Sequence, residues 1–183
     1  MSGQNIATDS LIAQAFLHQA RTFLRTDYLP KIKRCLEKLT DEQVWWRANA
    51  ESNSIGNLML HLSGNARQWI VSGLGGESDQ RIRQSEFDER SVIPRDQLLS
   101  TLEQTLEEVD RVLAGFKSER LPEQFAIQGT NTTALEAIFH VVEHFSMHTG
   151  QIILLTKLLT ASDLDFYDFE GVTPLPRWRS DRA

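Results

Sequence analysis

The sequence predicts an all-α fold, a four-helix bundle of long helices with a kinked first helix, and three observations carry that expectation. Apolar residues recur at helical spacing over four long stretches. Ser, Thr, Pro and Gly punctuate those stretches where helix ends belong. No alternating apolar–polar run flanked by hairpin turn residues stands out between them. At 183 residues and 40% hydrophobic content the chain can bury one sizeable core, and no shift in composition divides it, so one domain over residues 1–183 is expected.

The first helix is expected over about residues 8–39, with Ile12, Phe16, Ala20 and Phe23 on one stripe. Pro30 lacks an N–H and crowds the preceding turn, so it should kink or split that helix after Tyr28-Leu29. Thr40-Asp41-Glu42 begins a short turn carrying Trp45 and Trp46, and Asn53-Ser54 opens the second helix. Its stripe of Ile55, Leu58, Met59, Leu62, Ala66, Trp69 and Ile70 runs to about Leu74, where Gly73, Gly75 and Gly76 end it. A polar loop is expected from Glu77 to about Ile93. Pro94 then takes the first position of a third helix whose Leu98, Leu102, Leu106, Val109 and Leu113 face inward, and Gly115 closes it. After a loop at Leu121-Pro122, Thr133-Ala134-Leu135-Glu136 forms a capping box for a fourth helix reaching about Leu159.

Charge and composition exclude several classes of function. A formal net charge of −6 repels nucleic acid. The start of the chain lacks a basic stretch followed by an apolar run, and no segment has the length and hydrophobicity of a membrane span, so a cytoplasmic protein is expected. A single cysteine, Cys35, fits a reducing compartment and reads as a buried helix residue without a neighbouring base. The tail Arg177-Trp178-Arg179-Ser180-Asp181-Arg182 is too short for a nucleic-acid patch and reads as a solvated or dimer-contacting end.

The chemistry concentrates in the histidines. His144 and His148 are one turn apart in the middle of the fourth helix's apolar stripe, Ala137, Val141, His144, His148, Ile152, Leu155 and Leu159, so both imidazoles point into the bundle. His61 flanks the second helix's stripe by about a third of a turn and can face a neighbouring helix. Three imidazoles from two helices can hold a divalent ion and leave coordination positions open. Spacing alone leaves the bland alternative standing: core histidines satisfied by hydrogen bonds. A zinc-protease motif is excluded, because Phe145 and not Glu follows His144. His140, a turn before His144, is the competing ligand and reads as a supporting neighbour. His18, opposite Ile12 and Phe16, reads as solvated.

Two segments carry a family likeness. Asn53-Ser54-Ile55-Gly56-Asn57-Leu58-Met59-Leu60-His61-Leu62-Ser63-Gly64-Asn65 and His144-Phe145-Ser146-Met147-His148-Thr149-Gly150-Gln151-Ile152 together resemble the DinB/YfiT-like superfamily in order and spacing. The likeness extends to Arg25-Thr26-Asp27-Tyr28-Leu29-Pro30-Lys31-Ile32 and Asp165-Phe166-Tyr167. It implies a bundle in which His61, His144 and His148 hold one divalent metal, and imidazole ligands suit zinc and nickel alike. It also implies low-molecular-weight thiol chemistry, with bacillithiol or mycothiol as the thiol of an S-transferase or hydrolase, and a homodimer. Asn65, Arg67 and Gln151 are candidates for contact with an anionic cofactor or for support of the ligands, against the plainer readings of a surface salt bridge for Arg67 and structural satisfaction for Gln151. Trp45, Trp46 and Trp69 read as core or interface bulk. Two functions of different class follow: a metal-dependent enzyme transferring electrophilic groups to a thiol, and a non-catalytic metal- or small-ligand-binding bundle.

Overall fold

Four long helical runs pack side by side in a computed structural model that describes residues 2–169 and 175–177, with side chains described for residues 8–169, 176 and 177. The first run joins α1 (Ser2–Thr22) to α2 (Leu29–Glu37) through a π-helical turn, Phe23–Tyr28. Pro30 does not break it. The wider turn lets the Leu29 N–H bond to Leu24 O, five residues back, which relaxes the turn that Pro30 would otherwise crowd. Leu17, Ala20 and Leu24 form the buried stripe there, and Ile12, expected inside, lies exposed. Cys35 is fully buried, and burial pushes its thiol up to about 11, which makes it inert.

A short helix, α3 (Asp41–Val44), carries the chain to α4 (Ile55–Ala66), which continues as a π-helical turn over Arg67–Ser72. Ser54 caps α4 in a reciprocal box with Asn57. The segment expected as a polar loop contains another helix, α5 (Arg83–Asp88). Helix α6 (Arg95–Gly115) starts one residue later than expected, with Pro94 as its cap and not its first residue, and Leu98, Leu102, Leu106, Val109 and Leu113 are all buried. The last run, α7 (Ala134–Thr160), begins at the Thr133/Glu136 capping box.

The described residues also hold two small antiparallel pairings that the sequence reading did not anticipate. Strands β1 (Gln124–Ile127) and β2 (Thr130–Thr133) form a hairpin with Ile127 opposite Thr130. Gln128 and Gly129 make its two-residue turn, both at positive φ (54° and 77°), the backbone a primed turn demands. Gln-Gly is a weak form of that turn signal, and four-residue strands are too short to display alternation. Strands β3 (Tyr167–Asp168) and β4 (Leu175–Pro176) pair after α7. Of the carboxy-terminal tail, Arg177 pairs with Asp165, and residues 178–182 lie outside the described residues. No helix among the described residues is long and apolar enough to cross a membrane. The core is one cluster drawn from all four runs, and α4 packs against both α6 and α7, which brings its polar edge to the histidines of α7.

Candidate metal centre

His61 of α4 and His144 and His148 of α7 meet where these helices touch, with exposures of 4%, 9% and 8%. His144 Nε2 lies 3.1 Å from His61 Nε2 and 2.8 Å from His148 Nε2. One ligand nitrogen from each ring falls within 4.8 Å of the other two, a grouping that can hold a metal ion. An ion with bonds of about 2.0–2.1 Å in tetrahedral geometry sets its ligands roughly 3.3 Å apart, and the two separations from His144 Nε2 lie within about half an ångström of that.

The outer nitrogens explain the convergence. His61 Nδ1 is 2.8 Å from Glu86 Oε2, and a carboxylate can only accept, so His61 carries its proton on Nδ1 and turns a lone pair on Nε2 toward its neighbours. Arg81 Nη2, 3.1 Å from the same Nδ1, therefore serves Glu86 and not the ring. His148 Nδ1 donates to Gln151 Oε1 at 2.7 Å, which fixes the same tautomer. Two Nε2 lone pairs thus face His144 Nε2, which has at most one proton to offer, and one stays unsatisfied at a cost of about 1–3 kcal/mol. A cation answers all three. His144 Nδ1 is buried without a hydrogen-bond partner among the described residues.

Electrostatics keep these rings ready as ligands. Burial, reinforced by His148, His61 and His140, lowers His144 to about 3. Burial also lowers His148, outweighing the opposing bond to Gln151, and lowers His140. These imidazoles are neutral at pH 7, so no proton competes with a metal. Burial alone would raise Glu86, but hydrogen bonds from Arg81 and His61 outweigh it and hold the carboxyl below its usual range.

The carboxylate is itself held by a dedicated face of α4. Asn57, His61, Gly64 and Gln68 recur at i, i+4, i+7 and i+11, one stripe beside the apolar one. Asn57 Nδ2 donates to the backbone carbonyl of Glu86 at 2.8 Å. Gln68 Oε1 accepts from Arg81 Nη1 at 2.9 Å, and Arg81 grips both oxygens of Glu86, Nε to Oε1 at 2.7 Å and Nη2 to Oε2 at 2.9 Å. Gly64 leaves the room: a Cβ there would lie 2.0 Å from Glu86 Oε1. Phe87 of α5 packs on the His61 ring, centroids 4.7 Å apart.

Glu86, Arg81, Gln68, Asn57 and Gly64 were all outside the candidates drawn from sequence. The polar stripe on α4 was the available signal. Of the sequence candidates, His140 stands apart from the three converging nitrogens, its Nε2 3.2 Å from Asn65 Nδ2 and its ring tilted against Trp69 with centroids 4.2 Å apart. Asn65 is buried against it. Gln151 touches His148 as described. Arg67 is half-exposed and pairs with Glu77 and Glu108.

Fold and site together define a DinB-like helical bundle with a buried histidine triad, and three solved structures share the fold. A conserved protein from Enterococcus faecalis superposes with a TM-score of 0.64 at 14% identity, covering 84% of this chain and 98% of that one. A DinB-like protein from Bacillus cereus ATCC 10987 gives 0.61 at 15% identity over 78% and 90% of the two chains. The DinB-like protein YjoA from Bacillus subtilis gives 0.59 at 16% identity over 88% and 97%. The chain belongs to the family described as protein of unknown function DUF1572, whose model matches residues 11–168. No curated protein matches the sequence.

Proposed function

We propose that His61, His144 and His148 bind one divalent metal through Nε2, and that the protein is a metal-dependent enzyme acting with a low-molecular-weight thiol. One observation carries the metal reading: two imidazoles locked as Nδ1–H tautomers by Glu86 and Gln151 aim lone pairs at a third. A three-imidazole ion, zinc or nickel, would supply an open position that holds a thiol as thiolate at neutral pH. The chain's own residues do the rest. Glu86 and Gln151 orient two ligand rings and raise their basicity, and Phe87 and the packed helices keep water from the His61 side.

The thiol reading, with bacillithiol or mycothiol as cofactor and S-transfer as the reaction, rests on the DinB likeness and on the commitments of the neighbouring acids. Glu86, the carboxylate at the site, is engaged by Arg81 and His61 and is not free to act as a general base. A nucleophile activated by the metal would need no help from that carboxylate. The near-complete burial of all three rings favours the second reading, a bundle that stores or senses a metal without turnover. Cobalt-loaded protein titrated with a small thiol separates the two. Sulfur-to-cobalt charge-transfer absorption that saturates supports a thiol-binding enzyme; unchanged absorption with metal retained supports the non-catalytic bundle.

A further inference from the structure

Of residues 75–97, which pass over the His61 side of the metal centre, only Glu86 is buried. A segment of this length that buries no apolar side chain has little hydrophobic stabilisation to lose when it lifts. Ile82 and Val92 point outward, 71% and 51% exposed, and Phe87, half-buried, rests on the His61 ring. Two clefts of about 360 and 370 Å³ flank Glu86, both lined by Gly64, Arg67, Ser85 and Glu86. The segment thus touches the helices beneath it at points and not along a packed face.

Polar contacts hold it down. Glu86 meets His61, Gln68 Nε2 donates to Asp79 Oδ2 at 2.7 Å, and Asn57 Nδ2 reaches the backbone carbonyls of Glu86 and Glu89. Arg81 belongs to the same segment as Glu86, so the ion pair between them travels with it, as does the bond from the Arg81 N–H to Asp79 Oδ1. Lifting the segment parts Glu86 from His61 but not from the cation that balances its charge, which avoids the large cost of stranding a buried ion. Both ends are fixed. Gly76, at φ 82°, makes the left-handed turn that ends the α4 run, and at the far end Trp45 Nε1 donates to the Ile93 carbonyl at 2.9 Å.

We infer that residues 77–92 are a gate on the metal centre: they open as a unit between Gly76 and Ile93, carry Glu86 and Phe87 away from His61, and are latched shut by an ion held at His61. The latch follows from reciprocity. The closed strap supplies the carboxylate on His61 Nδ1, and losing such a contact lowers metal affinity about 10–100-fold, so a bound ion disfavours opening by the same factor. Opening frees the His61 ring on the side that Phe87 and Glu86 cover, and the ion enters and leaves through that form. The gate stands on the strap's own contacts; the latch rests on the metal reading.

Amide hydrogen exchange of the full chain, metal-free and loaded with zinc, tests this together with zinc release to excess chelator. In metal-free protein the amides of residues 85–89 should exchange as a group, at least about tenfold faster than those around Leu106 on the buried face of α6, and exchange as slow as in α6 overturns the gate. Zinc should slow the strap about 10–100-fold. Asp79→Ala removes the Gln68 contact without touching a ligand or Glu86, and its bond to the Arg81 N–H is lost from open and closed forms alike. It should speed strap exchange, zinc uptake and zinc release by about fivefold each, the worth of one such hydrogen bond, and leave zinc affinity unchanged. Release from Asp79→Ala at the native rate overturns the inference. A chain that takes up zinc with strap exchange unchanged overturns the inference alone, and a chain that takes up no zinc overturns the metal reading and the inference with it.

Discussion

Removing the negative charge of Glu86 should weaken the metal centre without touching a ligand. In Glu86→Gln the amide oxygen still accepts from His61 Nδ1, but the ring loses the carboxylate that raises its basicity, and Arg81 loses its ion partner. Loss of such an outer contact typically lowers metal affinity about 10–100-fold, roughly 1.4–2.7 kcal/mol. The Arg81 side chain is 5% exposed and loses the acceptor of its Nε and the charge that balanced it, so folding stability should fall as well, by about 3 kcal/mol as for a broken buried pair. Gly64→Ala reaches the same place by another route. Its Cβ would lie 2.0 Å from Glu86 Oε1 and 3.0 Å from Arg81 Nε, so the carboxylate must leave His61 although no ligand and no charge has changed. Competition against a chromophoric chelator reads zinc affinity, and urea unfolding of the metal-free protein reads stability. The reasoning is refuted if both variants bind zinc as tightly as the native chain.

Two further outcomes follow from the same geometry. His140→Ala should lower metal affinity far less than His144→Ala, because His140 reaches Asn65 and Trp69 and not the converging nitrogens; chelator competition on both variants reads this, and equal losses would relocate the site by a turn. Metal-free protein should lose stability as the pH falls. His144 titrates at about 3 in the folded chain against about 6.5 unfolded, so the unfolded state takes up the proton first: the contribution is complete above 6.5 and is lost as pH falls toward 3. The slope is about 1.4 kcal/mol per pH unit for each such histidine, and urea midpoints that stay level between pH 6.5 and 4.5 contradict it.

The bundle was legible because its signals are local. Leu98 to Leu113 repeat at helical spacing and all end up buried, and Thr133 and Glu136 form the capping box that their sequence spells. Pro30 marked the irregularity in the first helical run, because a prolyl ring forbids the regular turn: the π-helical turn ends at Tyr28 and α2 starts at Leu29. Helix α5 went unread because six residues, Arg83 to Asp88, are too few to show a stripe, and distant contacts hold them: Asn57 to the Glu86 carbonyl and Arg47 to Phe87 O. Glu86 meets His61 across 25 residues. Nothing in its neighbours along the chain announces that meeting.

The central claim is that three buried imidazoles hold one ion, and elemental analysis of untagged protein tests it most directly. Native protein should carry about one zinc or nickel per chain, lost when His61, His144 or His148 is replaced by alanine. Native protein that carries no divalent metal and takes up neither zinc nor nickel on titration contradicts it.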